Sequence, residues 1–188
     1  MRDVMKMEKL IADNQIQLED IPQIDLYMDQ VIQLFENTFG STTRNEEEKV
    51  LTKTMINNYA KGKLFFPIKN KKYSKEHLIL IAFIYQLKGA LSINDIKSLL
   101  NDVNMRTAEG KMDLDHFYEL YLDLAKLNAD AFRNDLEKQA GKSAELNEGQ
   151  PPQLEKVLLA VSLVHMSNLY RKAAERIVDE VKETGDGK

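Results

Sequence analysis

The chain has 188 residues, with 26 Lys and Arg against 30 Asp and Glu, a formal net charge of −4, and neither cysteine nor tryptophan. Without a thiol there is no disulfide framework, no Cys-based zinc or iron–sulfur site and no cysteine nucleophile. Four prolines and eight glycines are too few for a low-complexity or collagen-like chain.

The length suits one domain or two small ones. No run reaches the roughly 18 apolar residues of a membrane span, and the N-terminus, which mixes Arg2, Asp3, Lys6, Glu8 and Lys9 among its apolar residues, lacks the apolar stretch of a signal peptide. A cytoplasmic protein with no membrane partner is expected.

Residues 1–20 read as an N-terminal arm or short helix. Asp20 is a plausible N-cap, with Pro22 tolerated in the first turn, for a helix from Gln23 to Phe39. Its apolar stripe is Ile24, Tyr27, Met28, Val31, Leu34, Phe35 and Phe39, and Gly40 is placed to end it. Ser41 to Glu48 is a polar connector. Thr52 then caps a short helix, Lys53 to Lys61, that Gly62 would terminate. At 100° per residue Met55, Ile56, Tyr59 and Ala60 fall on one arc, and Lys53, Thr54, Asn57, Asn58 and Lys61 on the other.

The run Leu64-Phe65-Phe66-Pro67-Ile68 is β-type, and with Tyr73 it predicts a small hairpin whose tip carries Lys69, Lys71 and Lys72. Ser74 caps a buried helix, Glu76 to Lys88, built on the unbroken apolar run Leu78 to Tyr85. Ser92 with Asp95 starts another, Ile93 to Val103, with Leu91 and Ile96 as a hydrophobic staple. After a polar turn, a long helix runs from Asp113 to Ala140 on the stripe Leu114, Phe117, Tyr121, Leu124, Leu127 (or Asn128), Ala131 and Leu136. A loop from Gly141 to Pro152 leads to a last helix, Gln153 to Lys182. Leu154 to Met166 is apolar on almost every side, which implies a central core helix or a dimer seam.

Charge is distributed unevenly along this order. Between Lys49 and Lys75 there are eight lysines and no acid, so the window is +8 and the remainder −12. A basic island on an acidic chain is the pattern of a localised polyanion-binding face. The outward arc of the 53–61 helix has the chemistry for base edges: Asn for adenine, Lys for guanine or phosphate, Thr for a thymine methyl.

The segment Thr52 to Leu100 resembles the MerR-type winged helix-turn-helix family. The match rests on Thr52-x-x-x-Ile56-Asn57-Asn58-Tyr59 with Gly62-Lys63-Leu64-Phe65, on Pro67 and Tyr73-Ser74, and on Leu78 to Leu87 followed by Lys88-Gly89. It continues through Leu91-Ser92-Ile93-Asn94-Asp95-Ile96-Lys97-Ser98-Leu99-Leu100. From Ile21 onward the chain is also similar to an uncharacterised bacterial family labelled only as a domain of unknown function, itself described as MerR-like. The resemblance implies a mainly α fold: a winged helix-turn-helix with a small β-hairpin wing at 21–105, then a helical hairpin at 106–188 for dimerisation or interaction. It further implies double-stranded DNA as partner, a homodimer, and contacts from Lys53, Thr54, Asn57, Asn58, Lys61, Lys63, Lys69, Lys71 and Lys72. The sequence departs from the family in its longer first helix, its acidic connector, and Asn and Lys where arginines are common. A helical protein–protein interaction module with a degenerate winged helix is the main rival reading, and RNA binding a second.

No catalytic or metal constellation is expected, and no cofactor. His77, His116 and His165 fall on three different helices, and an EF-hand register through Gly110 puts Met105 and Thr107 at ligand positions. There is no Walker loop, Gly-x-Gly-x-x-Gly or Gly-x-Ser-x-Gly. Phe117, Tyr118, Tyr121, Phe132 and Tyr170 read as core rather than as the lining of an effector pocket.

Overall fold

The computed structural model of the chain describes residues 15–45 and 47–185. Most of the expected N-terminal arm, Glu46 and residues 186–188 lie outside the described residues. The elements are a 3-10 turn (Leu18–Asp20), β1 (Leu26–Tyr27), α1 (Met28–Phe39), a second 3-10 turn (Gly40–Thr42), α2 (Lys53–Lys61), β2 (Lys72–Tyr73), α3 (Lys75–Leu87), α4 (Ile93–Ala108), α5 (Leu114–Leu146) and α6 (Pro152–Gly185). The described chain is mainly helical, with one two-stranded antiparallel sheet.

The helix α3 is the centre of the core. Eight successive residues, His77 to Ile84, are buried, which only a helix packed on all sides achieves. On one side Phe39 of α1 stacks on Tyr85, with ring centroids 4.5 Å apart, and Phe35 meets the same ring. On another, Phe83 packs against Phe117, Tyr118 and Tyr121 of α5. The buried Tyr118 hydroxyl donates to the Ile16 carbonyl at 2.8 Å and so ties the N-terminal segment to α5. Lys75, at the start of α3, is paired with Asp115 at 2.6 Å. At the far end of the chain Lys182 of α6 grips Asp95 in the first turn of α4, also at 2.6 Å.

The caps expected at Thr52 and Ser92 form, and Asp113, expected inside the long helix, caps it instead. Thr52 accepts from the Met55 N–H, Ser92 from the Asp95 N–H, and Asp113 from the His116 N–H. Each side-chain oxygen satisfies a donor that the first turn leaves without a partner.

Other expectations are corrected. The first helix begins at Met28, not Gln23; Asp20 lies in a 3-10 turn with its N–H bonded to the Gln17 carbonyl. Leu26 and Tyr27 are extended and pair with Tyr73 and Lys72, leaving Ile24 exposed. The hairpin expected between Leu64–Ile68 and Tyr73 is therefore replaced. Leu64 and Phe65 are neighbours that are both buried, whereas a strand would turn one of them outward. Only a Lys69–Lys72 bridge closes the turn. Gly40 stays right-handed (φ −59°), and the chain runs on through the second 3-10 turn.

α5 continues past Gly141 to Leu146, and the Asn147 side chain then reaches across the connection and donates to the Pro151 carbonyl at 3.2 Å. Its buried line runs through Leu114, Tyr118, Ala125 and Leu136; Phe117, Leu124, Leu127 and Ala131 face outward. α6 is not a core helix: Val178 is buried, but Leu154, Val157, Leu158, Val161 and Val164 are exposed.

Tyr118→Phe leaves the Ile16 carbonyl buried without its donor. Urea unfolding should show a loss of about 1–2 kcal/mol with an unchanged slope.

Candidate functional site

α2 has a two-sided character set by its sequence. Ile56 and Tyr59 are buried, while Lys53, Thr54, Asn57, Asn58 and Lys61 are exposed. Ala60, expected on the inner arc, is also exposed. The helix leaves through a Schellman-type end: Leu64 N–H bonds to the Tyr59 carbonyl and Lys63 N–H to that of Ala60, each at 3.0 Å. The left-handed residue is Lys63 (φ 57°), not Gly62. A Cβ at Gly62 would lie 2.6 Å from a methyl of buried Leu64, which would have to shift to admit it.

A similar backbone occurs at the Lys69–Lys72 turn. Asn70 (φ 51°) and Lys71 (φ 57°) are both left-handed, the signature of a type I′ turn, and Lys72 N–H returns to the Lys69 carbonyl at 2.9 Å. Asn suits this conformation, but lysine at the second position is held where glycine would be cheaper. Lys69 and Lys71 are fully outward. Lys72 is half-buried, its ammonium 5.2 Å from the centroid of the exposed Tyr27 ring.

Two contacts link this turn to α2. Lys72 pairs with Tyr27 in the sheet; two residues on, Asp29 meets Lys53 at 2.7 Å; and Lys53 opens α2. Lys72, Tyr27, Asp29 and Lys53 thus form an unbroken line between the turn and the helix. Lys63 lies beyond the other end of α2, roughly 15 Å from Lys53 along the axis. The sequence reading missed Tyr27 and Asp29. The basic segment contains no acid, but the surface does.

Glu48 of the acidic connector is engaged elsewhere. The Glu48 carboxylate accepts from the Arg44 N–H and faces Lys88 and Tyr85 near the end of α3. Lys88 itself donates to the Val50 carbonyl at 3.1 Å and sits 4.2 Å over the Tyr85 ring, fixing the entry to α2. Burial lowers the Lys88 pKa, with Glu48 opposing.

Behind the turn, His77 locks its entry and exit. The Ser74 N–H donates to Nδ1 at 3.2 Å, so Nε2 carries the proton and donates to the Phe66 carbonyl at 3.1 Å. Phe66 stacks on the imidazole at 4.0 Å. Burial holds the imidazole below its ordinary pKa, against the bond to Phe66 and the charges of Glu76 and Asp25.

A cleft of about 480 Å³ opens beside it, between the turn, the start of α3 and the α4–α5 connection. Its lining mixes Asp25, Glu76, Asp113 and Asp115 with Lys69 and Lys72, so it is no dedicated anion cradle. Among the described residues no three His, Asp or Glu gather as a metal site. His116 and His165 are exposed, and so are Phe132 and Tyr170, while Tyr118 belongs to the core. No described helix is long and apolar enough to cross a membrane.

Residues 16–121 match the model of a family described as a domain of unknown function, DUF1836. That span contains every residue of the α2–turn surface and ends in the first turns of α5. No curated protein and no solved structure matches the chain.

His77 binds its proton more weakly in the folded chain than in the unfolded one. Stability is therefore full above about pH 6.5 and falls below it, by at most about 1.4 kcal/mol per pH unit. Urea midpoints at pH 7.5 and 5.5 should show this drop, and His77→Gln, which keeps an acceptor within reach of the Ser74 N–H, should flatten it.

Proposed function

We propose that this chain, which belongs to the DUF1836 family and inherits no activity from it, is a winged helix-turn-helix protein that binds duplex DNA from the cytoplasm. α1 and α2 form the helix-turn-helix, α2 enters the major groove, and the Lys69–Lys72 turn is the wing. The carrying observation is the surface itself. Asn57, Asn58 and Lys61 are exposed with no side-chain bond or ion pair among the described residues, and the wing flanks the same Tyr27–Asp29 segment that receives Lys53.

The chemistry of each part agrees. Asn57 and Asn58 carry the donor and acceptor pair that reads adenine, and Lys61 and Thr54 suit guanine or phosphate and a thymine methyl. Lys69, Lys71 and Lys72 supply point charges for the phosphate backbone, which orient a protein on DNA without reading sequence. Lys63 extends the positive edge beyond α2.

Lysine in left-handed backbone at two of these positions supports the same reading. Such conformations cost roughly 1–2 kcal/mol for a residue with a Cβ, and strain of this kind is kept where the side chain is used. The Lys53–Asp29 pair is no obstacle. Both partners are largely exposed, so it is worth at most about 1 kcal/mol and yields to a phosphate. The rival reading, in which the acidic connector covers α2, has no support from Glu47 or Glu48; Glu48 is engaged beside Lys88.

Anisotropy with mixed-sequence duplexes tests the proposal. With three to five phosphate contacts per chain, affinity should fall roughly 40–500-fold between 50 and 200 mM salt. Lys71→Glu with Lys72→Glu should abolish binding while the circular dichroism stays native. Asn57→Ala should relax preference at one base pair by about 1–3 kcal/mol. Lys71→Gly separates the two roles of its position: stability should rise by about 0.5–1 kcal/mol while affinity falls. Wild-type protein that ignores duplex DNA at 50 mM salt overturns the reading.

A further inference from the structure

We infer that Asp29 is a specificity-determining residue: it holds the Lys53 ammonium for a guanine edge and disfavours the use of that ammonium on the phosphate backbone. The inference rests on the reading of α2 as the groove-entering helix. Among the described residues, Lys53 is the one lysine of α2 and the basic turn with a carboxylate partner; Lys61, Lys63, Lys69, Lys71 and Lys72 have none. Both members of the pair are largely exposed, so it adds little to stability. Its interest lies in where it sits.

Lys53 is the first residue of α2, and the N-terminal residues of a recognition helix are those that reach base edges. Lys53, Asn57 and Lys61 recur every four residues and are all exposed, so they follow one line along the helix. Four residues advance a helix by about 6 Å, and successive base pairs are about 3.4 Å apart. Lys53 therefore lies no more than about two base pairs from whatever Asn57 reads. Asp29 approaches from the first turn of α1, where the helix dipole favours a negative charge.

A lysine left to itself discriminates poorly. Its ammonium is a point charge on a flexible four-carbon stem, and it satisfies a phosphate as readily as a base. The Asp29 carboxylate changes both properties. The separation of 2.7 Å between Nζ and Oδ1 is that of a charge-assisted bond, and it fixes the ammonium beside the start of α1. One of the three N–H donors is occupied and two remain, the number that guanine O6 and N7 accept. A phosphate drawn to the same place meets the negative charge of Asp29, whereas the neutral edge of guanine does not. Leaving Asp29 for a phosphate is a small penalty, but it applies to every sequence-independent complex and is absent from the complex with guanine. Specificity is a difference of this kind.

Asp29→Asn keeps the shape of the side chain and removes its charge. Both side chains are more than 60% exposed, so neither this substitution nor Lys53→Ala endangers the fold. Anisotropy with a mixed-sequence duplex at about 100 mM salt should show Asp29→Asn binding about 2- to 5-fold more tightly. The slope of log affinity against log salt should steepen by about 0.9, the mark of one further phosphate contact, and in the Lys53→Ala background it should stay as it was. Sequencing a captured pool of random duplexes should show a guanine enriched by wild type that both Lys53→Ala and Asp29→Asn lose. Unchanged affinity and slope in Asp29→Asn, or a guanine preference that survives it, overturns this inference and leaves the DNA reading standing. Wild-type protein that ignores duplex at 50 mM salt overturns both.

Discussion

The arrangement of this molecule depends on a sheet of only two residues per strand. Leu26 opposite Tyr73 and Tyr27 opposite Lys72 are the whole of it. An isolated pair so short is not stable in water; it survives because Leu26 and Tyr73 are buried against the core and because the chain is held on both sides. On one side Tyr27 starts α1, its N–H capped by the Gln30 side chain at 2.9 Å. On the other, Tyr73 runs directly into Ser74 and α3. The pairing makes neighbours of elements distant in sequence, and it sets the basic turn beside the start of α1, where Asp29 meets Lys53 of α2.

The cost of that arrangement falls on the backbone and is met by polar groups that the core encloses. The segment from Leu64 to Ser74 has almost no regular structure of its own, so its carbonyls and N–H groups need partners elsewhere. His77 supplies two of them, from the first turn of a helix that is otherwise apolar. Lys88 supplies a third at the other end of α3, for the connector. α3 is therefore more than a hydrophobic axle: its first and last turns hold the two irregular segments between which α2 is suspended.

Much of this was legible in the sequence. The limits of α2 and the N-caps Thr52 and Ser92 follow from local chemistry, and local chemistry survives folding. The buried run Leu78 to Tyr85 is a helix because it is long and capped. What failed was long-range. Tyr27 shares helical spacing with Val31, and that period concealed the two-residue strand before it; the strand exists only because Lys72 and Tyr73 arrive from 45 residues away. The stripe of α5 was misread for a related reason. Two apolar lines run along that helix, one through Tyr118 and Leu136 and one through Phe117 and Leu124, and periodicity cannot say which of them meets the core. Of the candidate site, the exposure of Lys53, Lys61, Lys69 and Lys71 follows from local pattern, but the pairing of Lys53 with Asp29 does not, since it is a product of packing between α1 and α2.

The ion pair between Lys75 and Asp115 joins two regions that otherwise have separate tasks. Lys75 stands two residues after the end of the basic turn's own strand, and Asp115 lies in the first turn of a 33-residue helix. At 1.5 Å per residue that helix is a rod of about 50 Å anchored near its base. A difference of only about 2° in its direction at that base displaces the far tip by nearly 2 Å, so the position of Leu146 is set in part by how Asp115 is held.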